Sequence, residues 1–117
     1  MATADLLQQP IIDPRKFRDP DVTANGEERA VVALTRLRTL WFNTGSPCNI
    51  TCRNCYMDSN PKNDALAYIS EDDVRPYLDE IVLTQAPVEE IAFTGGEPFM
   101  NSRLPQILEL CMERGFR

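Results

Sequence analysis

Apolar residues along this chain fall into short runs and stripes separated by turn-rich stretches, and the grouping predicts two strand–helix units. The first run begins near Leu37, is strongest over Leu40-Trp41-Phe42, and stops at the breaker cluster Asn43-Thr44-Gly45-Ser46-Pro47. A short apolar run with aromatics, bounded in this way, fits a strand buried on both faces, as in a parallel sheet. Ser70 and Asp73 then resemble a capping box with Asp in place of Glu, and Glu71 and Asp72 suit the positive end of a helix. Val74, Tyr77, Leu78 and Ile81 follow at helical spacing, and Pro76 among them predicts a kink or an irregular first turn rather than loss of the helix. A second strand is expected at Ile91-Ala92-Phe93-Thr94, ending abruptly in Gly95-Gly96-Glu97-Pro98. A second helix has Pro105 near its first position, Leu104, Ile107, Leu108 and Cys111 along one face, and Gly115 where a left-handed cap residue belongs.

Strand, loop, helix, repeated once, argues for an α/β fold with parallel strands joined by right-handed crossovers. Both loops that follow the strands then emerge at one end of the sheet, the end where ligands bind in such folds. Residues 1–35 carry Pro10, Pro14 and Pro20 among charged and polar residues. They read as an irregular or disordered lead-in, or else as a segment packed along a barrel edge. Two parallel strands with two helices make a poor core, since both strands are edges. Residues 36–117 are therefore expected to be a truncated frame or one portion of something larger.

Composition narrows the chemistry. At 117 residues and 43% hydrophobic content the chain suits one small domain. No apolar run approaches the length of a membrane helix, and the first residues lack the pattern of a secretory signal, so no membrane partner and a cytoplasmic, reducing location are expected. The net charge of −6 comes from residues 47–117, which hold twelve acids and six bases, against six of each in residues 1–46. Without clustered Lys and Arg there is no electrostatic argument for nucleic acid. There is no histidine, which removes imidazole catalysis and imidazole metal ligands. Metal chemistry in this stretch runs on thiolates and carboxylates.

Cys48, Cys52 and Cys55 place three thiols within eight residues directly after the first strand. Thiolates bind Fe–S clusters, zinc and copper(I). Disulfides fit poorly with a reducing location and such crowding. A structural zinc site would need a fourth ligand, drawn from Asp58, Cys111 or water. Cys111 lies on the apolar face of the second helix, where a buried core thiol accounts for it. A four-iron cluster normally takes four thiolates, and three leave one iron with an open position.

Cys48-x3-Cys52-x2-Cys55 after one strand, joined to Gly95-Gly96-Glu97-Pro98 after the next, resembles the radical SAM superfamily over residues from about 37 to 117. The resemblance implies the first part of a TIM-like (βα)6 partial barrel. It also implies a [4Fe–4S] cluster on Cys48, Cys52 and Cys55, with S-adenosylmethionine (SAM) chelating the fourth iron. Reductive cleavage of SAM would give methionine and a 5′-deoxyadenosyl radical that abstracts hydrogen from a substrate. The electron would come from a donor such as flavodoxin or ferredoxin. Gly95, Gly96, Glu97 and Pro98 are the expected SAM contacts, glycine permitting close backbone approach to a ligand. Asn54 occupies the position before the third cysteine, where the family usually has an aromatic residue near the adenine; Tyr56 follows the cysteine instead. Two further readings stand beside this one: a noncatalytic zinc- or iron-binding module, and a half-barrel completed by a partner chain.

Overall fold

The computed structural model describes residues 14–16 and 18–117. The chain divides into two compact units, Met1–Leu34 and Thr35–Arg117. The expected lead-in falls in part on residues 1–13 and 17, outside the described residues. The rest of the first unit is a turn without a helix or strand, built around an isolated antiparallel bridge between Val22 and Glu28. The Asp19 carboxylate accepts from the Asp21 and Val22 amides at 2.8 and 3.0 Å, and Gly26, at φ +83°, supplies the left-handed residue of the turn.

The second unit has the expected order: β1 (Thr39–Asn43), α1 (Glu71–Thr84), β2 (Glu90–Thr94), a 3-10 turn (Pro98–Met100) and α2 (Leu104–Glu113). The strands pair in parallel, with Leu40 beside Ile91 and Phe42 beside Phe93. Side chains alternate across a strand, so those four residues share one face. They pack there against Val74, Leu78 and Ile81 of α1 and Ile107, Leu110 and Cys111 of α2. Both helices thus cover the same side of the sheet.

The opposite face carries Thr39, Trp41, Glu90 and Ala92, and Trp41 is 62% exposed. The expectation of a strand buried on both faces is therefore corrected: among the described residues, the face of β1 away from the helices leaves Trp41 exposed. The outer edge of β2 is also engaged. Strand amides point alternately to either side, and that of Glu90 donates to Arg38 while that of Ile91 donates to the Arg117 carbonyl at 2.9 Å.

Helix α1 begins as the sequence indicates. The Asp73 carboxylate accepts from both the amide and the hydroxyl of Ser70, at 2.7 and 2.9 Å. Those bonds hold its pKa below the ordinary 3.8. Pro76 lies within the helix, which runs unbroken across it. The helix ends at Gln85, held left-handed at φ +53°, while Gly115 after α2 takes the left-handed value +82°. One helical expectation is corrected. Leu108 is 36% exposed, and Leu110 takes its place in the core of α2 with Leu104, Ile107 and Cys111. The face is set by how α2 lies on the sheet, and spacing alone leaves either flank of the stripe available. Two ion pairs, Glu71 with Arg103 and Asp79 with Arg114, join α1 to the N-cap and C-cap of α2 at the surface.

Candidate functional site

The two loops that follow the strands are fastened together. Beyond the last strand pair backbone bonding continues, shifting out of ladder register: the Thr44 amide donates to Thr94 at 2.8 Å, Gly96 to Gly45 at 2.9 Å and Glu97 to Pro47 at 3.1 Å. The Gly-Gly-Glu-Pro segment therefore runs alongside the residues that lead into Cys48. This pairing explains the glycines more directly than ligand approach does. A Cβ on Gly96 would stand 2.1 Å from the Pro47 carbonyl oxygen, and one on Gly95 would stand 2.6 Å from that of Gly45. Gly95 also holds φ +137°, a conformation that other residues rarely adopt. The close approach these glycines permit is to the cysteine loop itself.

Glu97 caps the 3-10 turn, one carboxylate oxygen accepting from the Phe99 amide at 3.0 Å, and Pro98 opens that turn. Among the described residues no amide or side chain donates to the carbonyls of Gly95 or Gly96. The segment thus offers acceptor groups at the carboxyl end of the sheet, next to the cysteine loop.

Residues 44–69, between β1 and α1, contain no helix or strand and are held chiefly by side-chain-to-backbone bonds. The buried Ser46 hydroxyl bonds the Asn63 carbonyl at 3.0 Å and the Leu66 amide at 3.0 Å. Buried Asn60 donates to the Asp58 carbonyl at 2.8 Å and accepts from the Lys62 amide at 2.9 Å, and its carbonyl takes the Cys48 amide at 3.2 Å. Asn63 reaches the Met57 and Asp58 carbonyls. Asn101, 2% exposed, donates to the Ile69 carbonyl at 2.8 Å and more weakly to that of Thr44, and its side-chain oxygen takes the Arg103 amide at 2.9 Å. One side chain thereby ties both ends of the cysteine segment to the start of α2. None of these four residues is singled out by a sequence pattern. The burial of Ser46, Asn60 and Asn101 arises only in the folded chain.

The thiols differ in setting. Cys48 is buried, Cys55 half-buried and Cys52 exposed, and none is in a disulfide. The Ser59 amide donates to Cys55 Sγ at 3.4 Å. That bond is the main cause of a lowered Cys55 pKa; burial opposes it, and the Met57 and Asp58 amides assist. Asp58, at φ +54°, makes the tight turn that brings these amides round the sulfur. Cys111 is the opposite case, a core thiol whose pKa is raised by burial, as expected of a residue with no ligand role. Asn54 and Tyr56 are exposed on either side of Cys55. Among the described residues, no three of the Cys, Asp and Glu side chains converge closely enough to hold a metal ion. The structure thus joins the two motif-bearing segments but leaves the three sulfurs ungathered, with Cys52 turned to solvent.

The donor set nevertheless suits an iron–sulfur cluster. It offers three thiols on one loop, one with its thiolate stabilised by amides, and no imidazole. A parallel strand–helix scaffold with a three-cysteine loop and a glycine loop at one end defines an α/β protein. Comparison with known proteins specifies the class: the model of the radical SAM superfamily matches residues 42–117, and the chain belongs to that family. It is 30% identical over 69 residues to the 7,8-dihydro-6-hydroxymethylpterin dimethyltransferase of Methanocaldococcus jannaschii, covering 59% of this chain and 13% of that protein. It is 25% identical over 105 residues to the S-adenosylmethionine-dependent nucleotide dehydratase of Lacinutrix mariniflava, covering 81% of this chain and 22% of that protein. The chain thus spans less than a quarter of the length of these curated relatives. No solved structure matches it. Among the described residues no helix is long and apolar enough to cross a membrane.

Proposed function

We propose that this chain is the front portion of a radical SAM enzyme, residues 36–117 forming the first two units of a six-unit partial barrel. Cys48, Cys52 and Cys55 hold a [4Fe–4S] cluster in this reading, and Gly95 to Pro98 meet the methionine end of SAM. A reduced cluster held there would supply the one electron that cleaves the SAM sulfonium bond to the 5′ carbon, giving methionine and a 5′-deoxyadenosyl radical that would take a hydrogen atom from substrate. A flavodoxin or ferredoxin is the proposed electron source.

The observation that carries the reading is the pair of backbone bonds from Gly96 and Glu97 to Gly45 and Pro47, which keeps the glycine segment against the entry to the cysteine loop. Loading brings the exposed Cys52 thiol toward Cys48 and Cys55, a movement that the irregular loop permits more readily than a helix or strand would. The carbonyls of Gly95 and Gly96 accept hydrogen bonds from the methionine ammonium, and the second Glu97 oxygen adds a matching charge. Asn54 takes the adenine side through its backbone.

Anaerobic reconstitution of the full-length protein with iron and sulfide tests this, by electron paramagnetic resonance of the dithionite-reduced sample before and after SAM is added. A four-iron signal that SAM alters is the expected result. Replacing Cys48, Cys52 or Cys55 by Ala removes the cluster, whereas Cys111→Ala keeps it. One equivalent of zinc bound, with no cluster formed, overturns the reading in favour of a structural metal module.

A further inference from the structure

One polar group in the cysteine loop has no work to do in the structure as it stands. The Ser59 hydroxyl is fully buried and, among the described residues, finds no hydrogen-bond partner. The residue is 4% exposed. Buried polar atoms are almost always paired, and an orphan signals an absent ligand, water or ion. Its surroundings point to one class of acceptor. Ser59 follows Cys55 by four residues, its amide already donates to Cys55 Sγ at 3.4 Å, and the tight turn at Asp58 brings the two residues face to face. The amide of Ser59 is thus bonded to the sulfur, and the hydroxyl of the same residue is an unused donor.

We infer that Ser59 is a positioning residue for the iron–sulfur centre, its hydroxyl and amide donating together to the Cys55 sulfur or an adjoining cluster sulfide and raising the reduction potential. The inference rests on the cluster reading above. Reduction adds negative charge that spreads onto the sulfurs, and hydrogen bonds to those sulfurs stabilise the reduced form more than the oxidised one. A donor buried from water acts more strongly than one at the surface, because water does not compete for it. Cys48 and Cys52 show no comparable pair: Cys52 is exposed and the nearest recorded partner of Cys48 Sγ is Asn49 Oδ1, an acceptor, at 3.9 Å. The three ligands are therefore unequal, and Cys55 is the one whose electronic environment the loop controls.

The test is a potentiometric titration of the reconstituted full-length protein, followed by the signal of the reduced cluster. Ser59→Ala keeps the amide and removes the hydroxyl, and its midpoint is expected to shift to a more negative value. Ser59→Thr restores the wild-type potential, Ser59→Cys, a weaker donor, falls between, and Cys111→Ala leaves it unchanged. An unshifted Ser59→Ala potential, or equal shifts in Ser59→Ala and Ser59→Thr, overturns the inference. So does failure of Ser59→Ala and Ser59→Cys to load a cluster that Ser59→Thr loads, since Ser59 would then be a folding residue. Absence of any cluster in the wild-type protein defeats the cluster reading and this inference with it. A wild-type cluster that responds to SAM, beside an indifferent Ser59, defeats the inference alone.

Discussion

The sheet–helix scaffold and the cysteine loop are held by different forces. In the scaffold, β1, β2, α1 and α2 surround an apolar cluster from which Val74, Leu78 and Ile107 are wholly withdrawn from water. In the loop, Ser46, Asn60, Asn63 and Asn101 do the holding, through bonds between side chains and backbone. Apolar burial is non-directional and tolerates small displacements, whereas each hydrogen bond demands its own geometry. The scaffold therefore fixes where the loop begins and ends, at Thr44 and Ile69, and the polar network selects one arrangement between them. A region stabilised in this way can exchange partners when a ligand arrives, which a close-packed core cannot do at similar cost.

The strongest way to break that contrast is to damage the core. Ile107→Ala opens a cavity between α2 and the sheet and is expected to cost about 2–5 kcal/mol in urea unfolding, with far-UV circular dichroism as the readout. Next is Gly96→Ala, whose new methyl must push the Pro47 carbonyl away, an overpacking cost of about 1–3 kcal/mol. Unlike Ile107→Ala, it is expected to impair cluster loading out of proportion to its effect on unfolding, because it parts the two motif segments. Asn101→Ala leaves the Ile69 carbonyl and the Arg103 amide without their side-chain partner, a loss of about 1–3 kcal/mol if they stay buried. Hydrogen exchange should show the loop ends opening faster while the β1–β2 ladder stays protected. Equal loss of protection in both would erase the distinction between the regions.

The smallest expected effect is acid sensitivity at the start of α1. Asp73 is lowered by its bonds from Ser70, and Glu71 chiefly by its bond from Arg103. A carboxylate with a depressed folded pKa stabilises the fold at pH above its unfolded value and loses that contribution as pH falls through the folded one. Stability should therefore decline below the ordinary values of 4.5 and 3.8, and continue to fall through the lowered ones. Asp73→Asn flattens part of that slope in urea titrations between pH 5 and about pH 2. An unchanged slope would remove Asp73 from the account.

Local periodicity and local chemistry were legible in the chain. The positions of the two strands, the Ser70–Asp73 cap, the stripe of α1 and the left-handed Gly115 each depend on neighbours a few residues away, so sequence states them well. The three cysteines and the Gly-Gly-Glu-Pro segment declared the family for the same reason: their meaning lies in spacing. What sequence misjudged depends on distant partners. Trp41 is exposed because both helices lie on the other face of the sheet, and Leu110 displaces Leu108 because of how α2 settles on Ile91 and its neighbours. Gly96 looked like a residue that clears space for a ligand, yet the group nearest its missing Cβ is the carbonyl of Pro47, 49 positions earlier in the chain. Ser46, Ser59 and Asn101, which no sequence pattern singles out, are buried. The sequence alone determined which atoms are available for metal and cofactor chemistry. Tertiary structure decided which of them face one another, because burial and close approach arise only when segments far apart in the chain are brought into contact.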